Sequence, residues 1–192
     1  RRTRKLTGNG SSLGPRFRGN YEVRMGNGNY RSLADDKRSI ARTSLPPHVP
    51  IMPLPAPFTD WFAARGWQLR RHQADMLAAG ERGESALLVA ATGAGKTLSG
   101  FLPTLVDLYR HPTDRLHTLY VSPLKALAAD VERNLTAPIA EMELDISVES
   151  RSGDTGSDKK ARQRSRPPNI LLTTPESLSL LLSYPDSFTM FA

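Results

Sequence analysis

The stretch Ala90-Ala91-Thr92-Gly93-Ala94-Gly95-Lys96-Thr97 decides how this chain is read. It closes the apolar run Ser85 to Ala91, a candidate buried strand, and opens a helix from Lys96 to Arg110 with apolar residues at Leu98, Phe101, Leu102, Leu105 and Leu108. Strand, glycine turn and amphipathic helix in that order make a phosphate cradle. Gly93 and Gly95 free backbone N–H groups to wrap an anion, and the helix N-terminus adds its dipole. Within this loop, which includes Thr92 and Ala94, Lys96 is expected to reach the β- and γ-phosphates of a nucleotide. Thr97 is expected to offer its hydroxyl to Mg²⁺. The pattern departs from G-x-x-x-x-G-K-T only in having Ala90 first.

Upstream, Leu69-Arg70-Arg71-His72-Gln73 places Gln73 23 residues before Lys96. A glutamine amide can bond to the N6/N7 edge of adenine and a guanidinium can stack on the ring, so Arg70 and Gln73 are candidate nucleotide readers. Downstream, Val121-Ser122-Pro123-Leu124-Lys125-Ala126-Leu127 follows a strand at Leu116 to Val121, and Thr173-Thr174-Pro175-Glu176-Ser177-Leu178 follows one at Asn169 to Thr173. Both segments fall at the carboxyl edge of a sheet, where open α/β sheets bind ligands. Ser122 and Thr174 read as helix N-caps, with Pro175 in first helical position, and both helix starts can aim N–H groups at nucleic-acid phosphates.

The remaining elements follow from period. Phe58 to Gly66 is a short helix with an aromatic face (Phe58, Trp61, Phe62), and Arg71 to Gly80 a second helix ended by its glycine. Leu124 to Met142 carries the stripe Leu124, Leu127, Ala128, Val131 and Leu135, with Pro138 expected to kink or end it. Ile146 to Glu149 precedes a polar connection through Arg166, and a helix starts at Pro175. Strand alternating with helix predicts an α/β domain built on a parallel sheet covered on both faces.

The chain has 192 residues and no cysteine, which excludes disulfide scaffolds, thiolate metal sites and cysteine nucleophiles. The run Ala86 to Ala91 is far shorter than the roughly 20 residues that cross a bilayer, so a soluble, cytoplasmic protein without a membrane partner is expected. The net charge of +7 is unevenly placed. Residues 1–45 hold eleven Lys and Arg against three acids, a net of +8, whereas residues 46–192 hold 15 against 16, a net of −1. Residues 1–45 are also rich in Arg, Gly, Asn and Ser and read as a disordered basic leader, or as coding sequence upstream of the true start, since Met52 stands just before the first globular segment; a basic arm on nucleic acid is the alternative. Residues 46–57 contain six prolines and read as an extended connector, which leaves 58–192 for the domain.

Taken together, AATGAGKT, VSPLKALAADVERNL, RSGDT and ILLTTPESLSLLL resemble the first half of a superfamily-two DExH-box helicase of the Lhr type. The run PAPFTDWFAARGWQLRRHQADML is most similar to the ligase-associated branch of bacterial DNA-repair helicases, and the resemblance covers roughly Pro53 to Phe191. It implies an incomplete RecA-like domain that uses ATP and Mg²⁺, with Arg70 and Gln73 on adenine and Gly93 to Thr97 on the triphosphate. It further implies that Ser122, Pro123, Leu124, Lys125, Gly153, Thr174, Pro175 and Glu176 track one strand of single-stranded or partly duplex DNA, RNA being the alternative. A companion DNA ligase and nuclease belong to the same implication. Arg71 stands where such helicases often carry proline, and no Asp-Glu-x-His occurs before Ala192. The chain is therefore expected to be an N-terminal piece of a longer enzyme, binding nucleotide without turning it over. The competing readings are another P-loop NTPase or kinase and a non-catalytic nucleotide- or nucleic-acid-binding remnant.

Overall fold

Ile170-Leu171-Leu172-Thr173 is buried at every position, which only a central strand with both faces covered allows. A computed structural model of the chain describes residues 4–9, 20–25 and 53–191. They divide into two compact units: residues 1–55 with 62–103, and 56–61 with 104–192. The helix α3 (Lys96–Arg110) contributes to both and changes unit at Pro103.

The second unit carries the parallel sheet. Strand β6 (Ile170–Thr173) lies between β4 (Thr118–Val121) and β5 (Val148–Arg151), parallel to each. The register pairs both Val121 and Arg151 with Thr173, so the three strands end level. Leu171 forms a core with Leu181 and Met190, against which Leu116 and Leu119 pack. Helix α4 (Lys125–Glu141) buries Ala128, Val131, Leu135 and Ile139. Helix α6 (Pro175–Leu182) leads to a 3-10 helix, Pro185–Met190. Each fully buried leucine of β6 contributes roughly 1.5–3 kcal/mol of apolar transfer.

The first unit is built around β3 (Ala86–Ala90) and α2 (Arg71–Glu81). Two further strands, β1 (Arg4–Asn9) and β2 (Asn20–Met25), pair antiparallel with each other, and β2 pairs antiparallel with β3, Tyr21 opposite Ala90 and Met25 opposite Ala86. Helix α1 (Ala56–Ala64) is shared by the units; Phe58 meets Tyr109 edge to face at 5.9 Å, and Gly66 at φ +62° turns the chain out of the helix.

Several expectations are corrected. Strands β1 and β2 fall inside the stretch read as leader, where no periodicity was expected; Tyr21-Glu22-Val23-Arg24-Met25 alternates with period 2, and the open edge of β3 is a template for such a strand. The rest of residues 1–52, Met52 and most of the proline-rich connector included, lie outside the described residues. Helix α1 begins inside that connector, because Pro57 occupies the first helical turn, where proline lacks no needed bond. Strand β3 pairs among the described residues with the antiparallel β2 and is not fully buried: Leu87 and Val89 are 49% and 50% exposed, the alternation of a strand with one covered face. Gly80 does not end α2; a Cβ there would stand 2.9 Å from Cβ of Pro103, so the glycine permits close packing and the turn falls at Gly83, φ +61°. Pro138 sits within α4, one turn from its end, where the lost bond costs least. The polar connection contains helix α5 (Ser157–Ser165), which has no apolar stripe for periodicity to detect.

Candidate nucleotide and nucleic-acid sites

In the first unit, the turn after β3 is shaped by its two glycines, both at φ +78°, a conformation other residues adopt only with strain. Nothing lies within 4 Å of a Cβ built on Gly93, so that side of the loop is open. The Lys96 ammonium donates to the carbonyls of Ala90 and Ala91 at 2.8 Å each, lying back over the loop it would leave to meet a phosphate. Ser99 donates to the Gly95 carbonyl at 2.8 Å, tying the first turn of α3 to the loop. The Thr97 hydroxyl makes no hydrogen bond among the described residues and is available to a cation.

The start of α2 supports the loop apex. Arg70 donates from Nη1 to the Ala94 carbonyl at 2.8 Å, and Nε2 of His72 lies 3.0 Å from the same oxygen. Gln73 Oε1 accepts from the Arg70 N–H at 2.8 Å, which caps the helix, while Nε2 stands 3.7 Å from a Cβ built on Gly95. That carbonyl keeps its second lone pair, and the amide nitrogen stands on the Gly95 side of the loop, so capping uses only part of the hydrogen-bonding capacity of Gln73. His72 was missed in sequence: it is buried, and burial holds its imidazole below the usual range despite the Ala94 carbonyl. A neutral ring donating to Ala94 fits that state, and only the tertiary contact reveals it. Asp75, one turn further, has Oδ2 buried without a hydrogen-bond partner, and burial raises its carboxyl against the opposing pull of Arg71 and Arg82.

In the second unit, the level ends of β4, β5 and β6 bring together three segments that are far apart in sequence. The Ser122 N–H donates to the Thr173 carbonyl at 2.9 Å, joining the first segment to the third. Lys125, at the first position of α4, pairs with Asp154 at 2.7 Å, and its ammonium lies 3.8 Å from a Cβ built on Gly153. The carboxyl of Asp154 is held below its usual range by that hydrogen bond and charge. Glu176 is held low by its own backbone N–H, by Thr174 and by the Lys125 charge. Lys125, Gly153 and Glu176 therefore belong to one small region, with Thr174 and Pro175 behind Glu176.

Thr174 caps α6 as read from sequence, its Oγ1 accepting from the Ser177 N–H at 3.4 Å with Pro175 next. Ser122 does not cap α4: Leu124 holds the cap position, and the buried Ser122 hydroxyl accepts from the Leu124 N–H at 3.4 Å inside the turn. Leu124 and Leu127, assigned to the core stripe, are exposed, as is Pro123, whereas Ala128, Val131 and Leu135 of the same stripe are buried.

Among the described residues no group of three His, Cys, Asp or Glu is placed to hold a metal ion, and no helix is long and apolar enough to cross a membrane. The DEAD/DEAH box helicase family matches residues 70–190. The chain is 41% identical over 137 residues to a Lhr helicase/probable uracil glycosylase of Mycolicibacterium smegmatis, covering 65% of this chain and 9% of the relative. It is 39% identical over 147 residues to an ATP-dependent helicase Lhr-Core of Methanocaldococcus jannaschii, covering 69% and 18%. Among solved structures, the Mycobacterium smegmatis helicase Lhr bound to single-stranded DNA and AMP-PNP superposes with a TM-score of 0.64 at 38% identity, covering 69% of this chain and 18% of that one. The DUF1998 helicase MrfA bound to DNA and AMPPNP gives 0.63 at 30% identity, with 73% and 20% covered. The chain thus spans at most a fifth of the length of these relatives. A glycine loop braced by the start of α2, a parallel sheet whose strand ends gather three loops, and these likenesses lead to one assignment: the chain belongs to the DEAD/DEAH box helicase family and carries part of a helicase domain homologous to the Lhr-type ATP-dependent helicases.

Proposed function

We propose that this chain supplies the nucleotide-binding loop and part of the strand-binding surface of an ATP-dependent DNA helicase. The observation that carries the reading is the convergence of Lys125, Gly153 and Glu176 at the level ends of β4, β5 and β6. Ser122 to Lys125, Gly153 and Thr174 to Glu176 contact the phosphates of one strand there. The DNA named with the solved relatives supports this role.

At the other site, Gly93 to Lys96 wrap the triphosphate, and Lys96 exchanges the Ala90 and Ala91 carbonyls for phosphate oxygens. Arg70 and Gln73 read adenine, and the free Thr97 hydroxyl holds Mg²⁺, which when bound neutralises developing phosphate charge. DNA repair in the cytoplasm beside a companion ligase and nuclease is the setting the family resemblance suggests; RNA is the alternative strand.

The test is nucleotide and strand binding by the chain itself. ATP titrated by calorimetry binds the parent and not Lys96→Ala, and labelled single-stranded DNA binds the parent with a salt slope that Lys125→Ala reduces by about 0.7. Undiminished ATP binding by Lys96→Ala, or an unchanged slope for Lys125→Ala, defeats the corresponding half of the reading.

A further inference from the structure

Helix α5 is an unusual helix to keep, because it buries only Gln163 and offers no apolar face to hold it in place. Its attachment is polar. Gln163 is fully buried, donates from Nε2 to Glu149 at 2.8 Å and to the Ser150 carbonyl at 3.2 Å, and accepts from Arg151 at 3.3 Å. Arg151 also donates to the Lys160 carbonyl at 2.9 Å. Arg151 is 3% exposed and donates to neutral oxygens, so a whole positive charge lies beneath the helix with no carboxylate paired to it among the described residues. Burial, and then the charge of Arg164, lower its guanidinium from the usual range, as expected for a cation in a positive field.

The charge distribution sharpens this. Residues 151–166 contain six Lys and Arg and two acids, a net of +4, whereas the other residues of 46–192 hold nine against 14, a net of −5. The basic residues of α5 flank Gln163 on two sides. On one side Arg162 is neutralised by Glu149 at 2.8 Å, with Lys159 one turn before it. On the other, Lys160 donates from Nζ to the Gly153 carbonyl at 2.8 Å, and the Arg164 guanidinium lies 4.7 Å from the centre of the Tyr184 ring. Tyr184 itself is 46% exposed. The second flank thus begins at the glycine beside Lys125 and runs through two cations to an aromatic ring.

We propose that single-stranded nucleic acid continues past Gly153 along this flank, with Lys160 and Arg164 on successive phosphates and a base stacked at Tyr184. Alternating cations with an exposed ring is how sequence-tolerant single-strand surfaces are made: charge follows the backbone and the ring accepts any base. Arg151 acts as a positioning residue, fixing the Lys160 turn of the helix over the end of β5. This inference rests on the strand reading given above for Lys125 and Gly153.

Fluorescence anisotropy with labelled oligo-dT across a salt series tests it on the full chain. Lys160→Gln and Arg164→Gln each lower the salt slope by about 0.7 and weaken binding about fivefold at 0.1 M salt. Tyr184→Ala weakens binding at least about fivefold without moving the slope, and Arg164→Lys preserves the slope. Lys159→Gln, which removes an equal charge from the opposite flank, leaves the slope at the parent value. Unchanged slopes for Lys160→Gln and Arg164→Gln beside a reduced slope for Lys125→Ala overturn this inference alone; no binding by the parent overturns the strand reading and this inference together.

Discussion

The glycine loop after β3 and the level strand ends of β4, β5 and β6 each stand beside a lysine in the first turn of a helix, Lys96 and Lys125, yet they are held by different forces. The loop is secured by polar bonds to its own carbonyls, from Lys96, Ser99, Arg70 and His72, on a strand whose Leu87 and Val89 are exposed. The sheet edge is secured from beneath by Ile170, Leu171 and Leu172, none of which reaches solvent. Polar bonds between a lysine and carbonyls can be exchanged for bonds to phosphate at little net cost, whereas apolar packing has no such substitute. A loop tied by exchangeable polar bonds and a set of strand ends held by apolar packing are accordingly built differently.

The sharpest way to break that contrast is to make one substitution in both strands. Leu171→Ala is expected to cost about 2–5 kcal/mol in denaturant unfolding, and Leu87→Ala less than about 1 kcal/mol, since a half-exposed side chain leaves no closed cavity. Equal losses would mean that β3 is as deeply packed as β6. Next in size is Gly80→Ala, where a methyl 2.9 Å from Pro103 Cβ must displace a proline ring; a net loss of roughly 1–2 kcal/mol is expected despite the better helix propensity of alanine. A gain in melting temperature would show that the packing of α2 is loose.

Gln73→Ala separates support from recognition. Loss of the cap should lower stability by about 1 kcal/mol, and loss of the amide should bring ATP and GTP affinities together in a competition titration. Reduced stability with ATP preference intact would confine Gln73 to capping.

Two carboxylates supply the smallest and most diagnostic effects. Asp75 in the first unit is raised by burial, so its protonated form favours folding: its penalty is present at neutral pH and disappears as pH falls through the raised value toward 3.8. Asp75→Asn should therefore stabilise by about 1 kcal/mol at pH 7 and by nothing near pH 3. Asp107 in the second unit is lowered by hydrogen bonds from His117 at 2.8 Å and His111 at 2.9 Å. Its contribution is present above 3.8 and is lost as pH falls through the lowered value, so Asp107→Asn should cost about 0.5 kcal/mol at pH 5 and progressively less in acid. Stability curves of opposite slope for the two variants sharpen the comparison; parallel curves would remove it.

Much of this was legible in the residues themselves. AATGAGKT at a strand-to-helix junction, the start and end of α3, the capped and proline-led start of α6 and the alternation of strand with helix all depend on local chemistry: glycine at positive φ, side chains that cap, periodicity of burial. What only the tertiary structure decided depends on partners distant in sequence. Strand β2 forms because β3 offers an edge, α5 stays folded against β5 through Gln163 and Arg151 rather than through any apolar stripe, and Gly80 is dictated by Pro103. His72 becomes part of the loop support through the carbonyl of Ala94, 22 residues away. Lys125 meets Gly153 and Asp154 because parallel register brings three strand ends level. Propensity and period act over a few residues, whereas hydrogen-bond satisfaction and close packing act across space, so the ends of elements and the company a side chain keeps are settled only when the chain has folded.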